Sequence, residues 1–233
     1  CTGTYTNGDY VVNCHDGVAH GELDIYGILG MSCNGAFDTI AQTLNSTKWQ
    51  KLAEDFGYNQ SDRSQVDFPY KKSHFDIASD DSVWSRMQLA IGQGTTTVTP
   101  LLNLMMYAAI ANDGVMMTPY LVDHYLDADG NVVEQTKPKA LRSVCTKAEA
   151  ELMDEFLTYV ITNGTAAAGG SQYARVSGKT GSAQYDSTKN YHAWFCGYGT
   201  NDVSEIAVCV MIEKGGAGGI VAAPVAGQIF DYY

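Results

Sequence analysis

Three β-patterned runs near the C-terminus, residues 175–180, 191–198 and 205–212, restrict the fold more than any other part of the chain. They are rich in Val, Ile, Tyr, Phe and Trp, the residues that suit a pleated, half-buried surface. Turn-forming residues at 186–189 and 199–203 connect them. Connections this short cannot hold a crossover helix, so the three strands are predicted to be antiparallel neighbours.

Helical patterns flank that sheet. Thr146 and Glu149 make a capping box. It opens a helix with Leu152, Met153, Phe156, Leu157, Val160 and Ile161 on one face and Gly164 as its stop. Thr99 as N-cap and Pro100 at the first position start another, ending near Gly114. A last helix is expected from near Pro224, packing Val225, Ile229 and Tyr232. Earlier in the chain, residues 24–30 read as a short helix leading into Ser32. A helix over 35–44 turns Phe37, Ile40, Ala41 and Leu44 inward. Ser46 caps the next, with Trp49, Leu52, Ala53 and Phe56 inward and Gly57 as its end. Residues 82–89 suggest a further helix or turn. Residues 2–12 read as extended pieces turning at Asn7-Gly8, and 120–133 as a hairpin about Asp129-Gly130. Residues 58–81 read as a loop bordering a cleft. A sheet with flanking helices is a two- or three-layer α/β sandwich. No repeat or linker interrupts it, so residues 1–233 form one domain.

Composition narrows the partners. The net charge is −12, which offers nothing to neutralise a run of phosphates and excludes nucleic acid. The longest apolar segment, 101–111, is interrupted by Asn103 and reads as a buried helix rather than a membrane span.

Two stretches carry the chemistry. Val176-Ser177-Gly178-Lys179-Thr180-Gly181-Ser182-Ala183-Gln184 places an ammonium and a hydroxyl side by side on a strand whose glycines admit a close neighbour. Lys179 supplies a point charge with three donors and Thr180 a shorter donor, a pairing suited to a carboxylate. Gly30-Met31-Ser32-Cys33-Asn34-Gly35 puts Ser-x-Asn in a tight turn between two helices. That turn projects Ser32 and Asn34 together into a cleft. An N-cap would use Ser32 alone and would not need Asn34. Gly30 to Gly35 is one residue too long for the G-x-S-x-G elbow of α/β-hydrolases, and Gly92-Gln93-Gly94 lacks the rest of a phosphate-binding loop.

Ser-x-Asn followed by Lys-Thr-Gly resembles the motif set of the penicillin-binding proteins and serine β-lactamases. Gly92-Gln93-Gly94-Thr95-Thr96, Ala111-Asn112-Asp113-Gly114, Gly164-Thr165-Ala166 and His192-Ala193-Trp194-Phe195-Cys196-Gly197 also resemble the transpeptidase domain of that family, in its usual order, with class B enzymes the nearest. The resemblance covers essentially the whole chain. It implies a β-lactamase/transpeptidase-like α/β sandwich with its N-terminal part missing. The family's Ser-x-x-Lys motif, which carries the nucleophile, does not occur: no serine lies three residues before any lysine. It is expected upstream, so this chain is expected to be the C-terminal portion of the domain, inactive alone.

The implied activity is that of a serine D,D-transpeptidase acting on D-Ala-D-Ala stem peptides of peptidoglycan through an acyl-enzyme, and binding β-lactams. By resemblance, Ser32 shuttles a proton to the leaving amine. Asn34 holds the substrate amide and the upstream lysine. Lys179 and Thr180 bind the carboxylate, and the Ser182 N–H is one oxyanion donor, with Gly181 and Gln184 lining the substrate. No cofactor or metal is required. The implied setting is the extracytoplasmic face of a bacterial membrane, with an anchor upstream and other cell-wall synthesis proteins as partners. Two alternatives stay open. A serine β-lactamase would need a group activating a deacylating water, for which the loop over 58–81 offers only unplaced acids. A non-catalytic β-lactam sensor or wall-binding module is the other.

Six cysteines are present: Cys1, Cys14, Cys33, Cys145, Cys196 and Cys209. No C-x-x-C occurs, which argues against a zinc ribbon or redox motif. Cys33, Cys196 and Cys209 are expected to be buried thiols. Cys1 and Cys14 flank a short polar segment that a disulfide could close, and the family often has cysteines there; the connectivity is not fixed by sequence. Cys14, His15 and His20 match no standard ligand spacing and are expected to be structural or surface residues.

Overall fold

The structure, a computed structural model, describes residues 1–60, 66–188 and 190–233. Residues 61–65 of the expected loop and Lys189 of the expected turn lie outside the described residues.

The chain opens with a hairpin of β1 (Thr4–Asn7) and β2 (Tyr10–Asn13), turning at Gly8 with φ of 60°. Helices α1 (Ile25–Gly30), α2 (Asn34–Thr43), α3 (Ser46–Asp55), α4 (Val83–Ala90) and α5 (Pro100–Ala111) follow. Next come the short strands β3 (Val115–Met117), β4 (His124–Leu126), β5 (Val132–Gln135) and β6 (Ala140–Ser143), pairing as β3–β6 and β4–β5. Helix α6 (Lys147–Asn163) leads to the antiparallel sheet β7 (Arg175–Gln184), β8 (Tyr191–Thr200) and β9 (Glu205–Ile212), in that order, and α7 (Gly218–Tyr232) closes the chain.

Local signals explain most of these boundaries. The Thr99 hydroxyl accepts from the Leu102 N–H, with Pro100 in the first turn of α5. Thr146 and Glu149 cap α6 reciprocally. The Asp24 side chain accepts from the Gly27 N–H and starts α1.

The sheet is the central layer. On one face Val176, Phe195 and Val208 pack with Ala222, Ala223, Ala226 and Phe230 of α7, joined by Val160 and Ile161 of α6. Across the other face, Ser177 of β7 and Tyr198 of β8 bond to Asp154 of α6. The expected antiparallel sandwich is therefore the observed one.

Several inward faces differ from the sequence expectation. Helix α7 begins at Gly218, so Pro224 lies inside it, and Val225 and Tyr232 are exposed. Its buried side is instead a strip of small residues. A Cβ on Gly218 would stand 2.3 Å from the Gly181 carbonyl oxygen, so only glycine lets the helix end meet β7 this closely. In α6, Leu152 and Met153 face solvent while Ala150, Leu157, Val160 and Ile161 are buried. In α2 the buried positions are Asp38 and Ala41, and Ile40 and Leu44 are exposed. Asn45, not Ser46, caps α3 by accepting from the Lys48 N–H, because its side chain sits one residue outside the helix. Leu52 is exposed, while Trp49 and Ala53 pack on Phe75, Ile77 and Leu89. The loop over 58–81 thus contributes Phe75 and Ile77 to the core as well as polar surface.

Candidate active site

The Ser-x-Asn turn is made by the break between α1 and α2. Ser32 has φ of 52°, a left-handed conformation that costs a non-glycine residue roughly 1–2 kcal/mol. The Cys33 N–H donates to the Ile28 carbonyl, and Cys33 then stands at the N-cap of α2 without a side-chain capping bond. The arrangement turns the Ser32 hydroxyl away from both helices.

Close backbone approach locks this turn onto α6. The Thr165 N–H donates to the Gly30 carbonyl, and a Cβ on Gly164 would lie 2.3 Å from that same oxygen. Thr165, just beyond α6, reaches the Thr180 hydroxyl at 3.2 Å. The end of α1, the end of α6 and the middle of β7 therefore meet at one point.

Lys179 occupies that point. Its ammonium donates to Ser32 Oγ at 3.0 Å, across 147 positions of sequence, and to the Thr180 carbonyl at 2.9 Å. Protein surrounds the ammonium, although the residue as a whole keeps some accessible surface. Burial lowers its pKa to about 8. Among the described residues no carboxylate pairs with it. Two of its three donors are used within the protein, and the third can serve an incoming anion.

The other sequence-predicted residues lie on the same turn as Ser32 or the same strand as Lys179. Asn34 Nδ2 donates to the Asn13 carbonyl at 2.8 Å, which ties the turn to β2 and leaves the amide oxygen to accept from a ligand. Ser182 Oγ accepts from the Gly218 N–H at 3.1 Å, so its side chain secures the start of α7 and only its backbone is available to a ligand. A Cβ on Gly181 would make only an ordinary 3.5 Å contact with Trp194, so packing does not demand glycine there. The space beside Gly181 is open for something outside the fold. Gln184 donates to the Asp186 carbonyl at 2.7 Å.

A profile of the penicillin binding protein transpeptidase domain matches residues 2–231. The chain belongs to this transpeptidase family. It is 29% identical to the peptidoglycan D,D-transpeptidase PbpA of Mycolicibacterium smegmatis, over 83% of this chain and 40% of that protein. It is 28% identical to the peptidoglycan D,D-transpeptidase MrdA of Acinetobacter baumannii, over 92% and 35%. The D,D-transpeptidase domain of a peptidoglycan glycosyltransferase from Eggerthella lenta superposes with a TM-score of 0.86 at 28% identity, covering 97% of this chain and 56% of that one. A ceftriaxone acyl-enzyme complex of penicillin-binding protein A from Mycobacterium tuberculosis shares the fold, with a TM-score of 0.86 at 22% identity. The chain thus spans well under half the length of the two curated relatives.

Within this transpeptidase domain, sequence reasoning located Ser32 and Lys179 but missed the residues that join them. Thr165 is one: it and its neighbour Gly164 were read as a helix stop and as part of a family-like stretch, without a role in the site. Gln93 is another: its amide faces the main chain of Gln184, oriented to donate to the carbonyl at 3.3 Å and accept from the N–H at 3.2 Å. Both lie in stretches that carried the family resemblance. Asp154 is a third. Burial pushes its carboxyl up, but bonds from Tyr198, Arg175 and Ser177 outweigh this and hold it below the usual range. This network fixes the strand segment immediately before Lys179.

Cys33 and Cys196 are buried as expected and Cys209 is half-buried, while Cys14 and His20, read as unrelated by their spacing, lie together. Cys1 and Cys14 Sγ lie 3.6 Å apart, beside Cys33 and His20, whereas His15 stands apart and pairs with Asp16. Cys196 and Cys209 face each other directly across β8 and β9 at 3.1 Å.

Proposed function

We propose that this domain is the C-terminal portion of a serine D,D-transpeptidase that acylates on peptidoglycan stem peptides and on β-lactams. The observation that carries the reading is the Lys179–Ser32 contact: an ammonium with no carboxylate partner among the described residues, bonded to a hydroxyl at the meeting point of α1, α6 and β7. The names of the relatives agree with it. None of the ten lysines has a serine three positions before it, so the acylated serine is assigned to a Ser-x-x-Lys segment outside these 233 residues.

In this mechanism the substrate carboxylate docks on the third donor of Lys179 and on the Thr180 hydroxyl, which orients the scissile amide. The Asn34 amide oxygen accepts from the substrate backbone. The Ser182 N–H is one donor to the oxyanion as the external serine adds to the carbonyl; losing such a donor typically costs about 100- to 1000-fold in rate. The C–N bond then breaks. The external serine gives up its proton, through the lysine of its own Ser-x-x-Lys motif, to Ser32 as it adds, and Ser32 hands a proton to the departing amine, while Lys179 stays charged on the substrate carboxylate. Gly181 and Gln184 line the bound peptide. The site is assigned to the extracytoplasmic face of a bacterial membrane, with an anchor outside this sequence and other cell-wall synthesis proteins as partners.

The test is Lys179→Ala in the full-length protein, with acylation followed for a β-lactam carrying its carboxylate and for the corresponding ester. The loss should be far larger for the acid, because binding to charge is what is removed. Equal losses refute the assigned role. Slow deacylation of the wild-type adduct separates a transpeptidase from a β-lactamase.

A further inference from the structure

Cys1, Cys14, His20 and Cys33 come from four separate places: the chain start, the end of β2, the loop before α1 and the Ser-x-Asn turn. One ligand atom from each lies within 4.8 Å of all the others. Cys1 and Cys14 sulfurs are 3.6 Å apart, Cys14 and Cys33 sulfurs 3.9 Å, and the Cys1 sulfur and His20 Nδ1 3.5 Å. A tetrahedral zinc with ~2.3 Å bonds to sulfur and ~2.0 Å bonds to nitrogen has S···S edges of about 3.8 Å and S···N edges of about 3.5 Å. The three edges given match these values, and every other edge is within 4.8 Å. Thiol–thiol hydrogen bonds are too weak to gather three sulfurs and an imidazole, and a Cys1–Cys14 disulfide would leave Cys33 and His20 unexplained. Cys14 and Cys33 are buried, His20 is half-buried and Cys1 is exposed, a closed set with one accessible corner. A backbone donor already addresses one sulfur: the Gly3 N–H points at Cys1 Sγ at 3.4 Å. Such second-shell donors stabilise thiolate ligands.

We propose that Cys1, Cys14, His20 Nδ1 and Cys33 bind one structural Zn2+ that anchors the Ser32–Asn34 turn to the β1–β2 hairpin. Three thiolates and one imidazole in a tetrahedron select zinc over the hard cations magnesium and calcium. Binding releases the thiol protons to solvent and involves no redox change. Cys33 is the central residue of Ser32-Cys33-Asn34, and Asn34 already bonds to Asn13 beside Cys14. The ion therefore grips the turn from behind while the Ser32 hydroxyl faces Lys179. The inference goes beyond the catalytic reading, because metal content is measured without any β-lactam.

The full-length protein, purified without chelator under reducing conditions, is assayed for metals by mass spectrometry. The expected content is about one zinc per chain, falling below about a tenth in Cys14→Ser and His20→Ala and unchanged in Cys145→Ser. Cobalt substitution of the wild-type protein reads the site without any variant: thiolate-to-cobalt charge transfer and intense tetrahedral bands are expected. Removing the zinc should slow penicillin acylation by about 10-fold or more. Zinc-free protein with all thiols reduced, a cobalt spectrum lacking thiolate bands, or a Cys1–Cys14 disulfide found by peptide mapping overturns the site. Unchanged acylation after zinc removal overturns its anchoring role.

Discussion

The role proposed for Lys179 ties carboxylate binding and stability together with opposite signs, and that opposition can be measured. Burial lowers its pKa from 10.5 to about 8 in the folded chain. Below about pH 8 the group is charged in both the folded and unfolded chains, and its contribution is flat. Between about 8 and 10.5 the unfolded chain holds a proton that the folded chain has lost, so folding stability rises with pH across that window. From pH 8 to about pH 9.5, ~1.36 kcal/mol per pH unit gives a gain of about 2 kcal/mol. Lys179→Met keeps the unbranched stem and removes the titration. Urea melts followed by tryptophan fluorescence should show the wild type gaining about 2 kcal/mol on the variant between pH 7 and about pH 9.5, whatever the other groups contribute to both. Carboxylate recognition runs the other way. The ratio of kcat/KM for acylation by a β-lactam acid over its ester should fall as pH passes about 8, since kcat/KM reports the free enzyme. A wild-type-minus-variant stability that stays level across the window, or an acid-to-ester ratio that does not change, would refute the placement of an enclosed, anion-seeking ammonium at this position.

Three further outcomes follow from particular groups. Tyr198→Phe removes the 2.7 Å donor to Asp154 and should cost about 1.5–3 kcal/mol at pH 7. That cost should shrink in acid melts as pH falls through the depressed folded pKa of Asp154, where the carboxylate is protonated. Asp38 is fully buried, neither carboxylate oxygen has a hydrogen-bond partner among the described residues, and burial raises its pKa to about 7. The penalty for its charge grows from about pH 4 to about pH 7, so Asp38→Asn should be more stable than wild type at pH 8, with the gap closing in melts near pH 4. The 233-residue chain on its own should gain no mass on incubation with penicillin, because Ser32 lacks an activating Ser-x-x-Lys partner; a stoichiometric adduct on any of its residues would show the nucleophile assignment to be wrong.

How much of this was legible in sequence depended on where the controlling interaction lay. The α5 and α6 starts were readable because Thr99-Pro100 and Thr146…Glu149 are self-contained chemical signals, complete within four residues. The β7–β8–β9 order followed from connection length alone. Helix α7 was misread because its packing face is Ala222, Ala223, Ala226 and Gly227, and a strip of small residues gives no apolar periodicity against which to set Pro224. Asp38 defeated the inward-face argument for α2 because a carboxylate inside the fold contradicts the pattern on which such arguments rest. These errors share one cause: tertiary contact selected shape, where periodicity detects only hydrophobicity.

The site shows the same division at longer range. Nothing within 20 residues of Ser32 announces that its hydroxyl meets Lys179, and only the co-occurrence of two motifs pointed there. What brings them together is a backbone-to-backbone approach, Gly164 against the Gly30 carbonyl, which required a glycine at 164 and no recognisable functional side chain. Thr165 and Gln93 then enter as consequences of that approach, so their types alone could not reveal them. The cysteine cluster lies further still from local reading. Its ligands are spaced by 13, 6 and 13 residues, a pattern unlike the close pairs of zinc fingers, because each ligand belongs to a different element. Cys33 belongs to that cluster and to the Ser32–Asn34 turn at once. Its buried sulfur faces β2 while the preceding hydroxyl faces β7. One left-handed residue, Ser32, lets a three-residue turn serve two opposite directions. That is a physical reason for the strained backbone to be placed there, since an ordinary helical or extended residue would turn the hydroxyl or the thiol away from its partner.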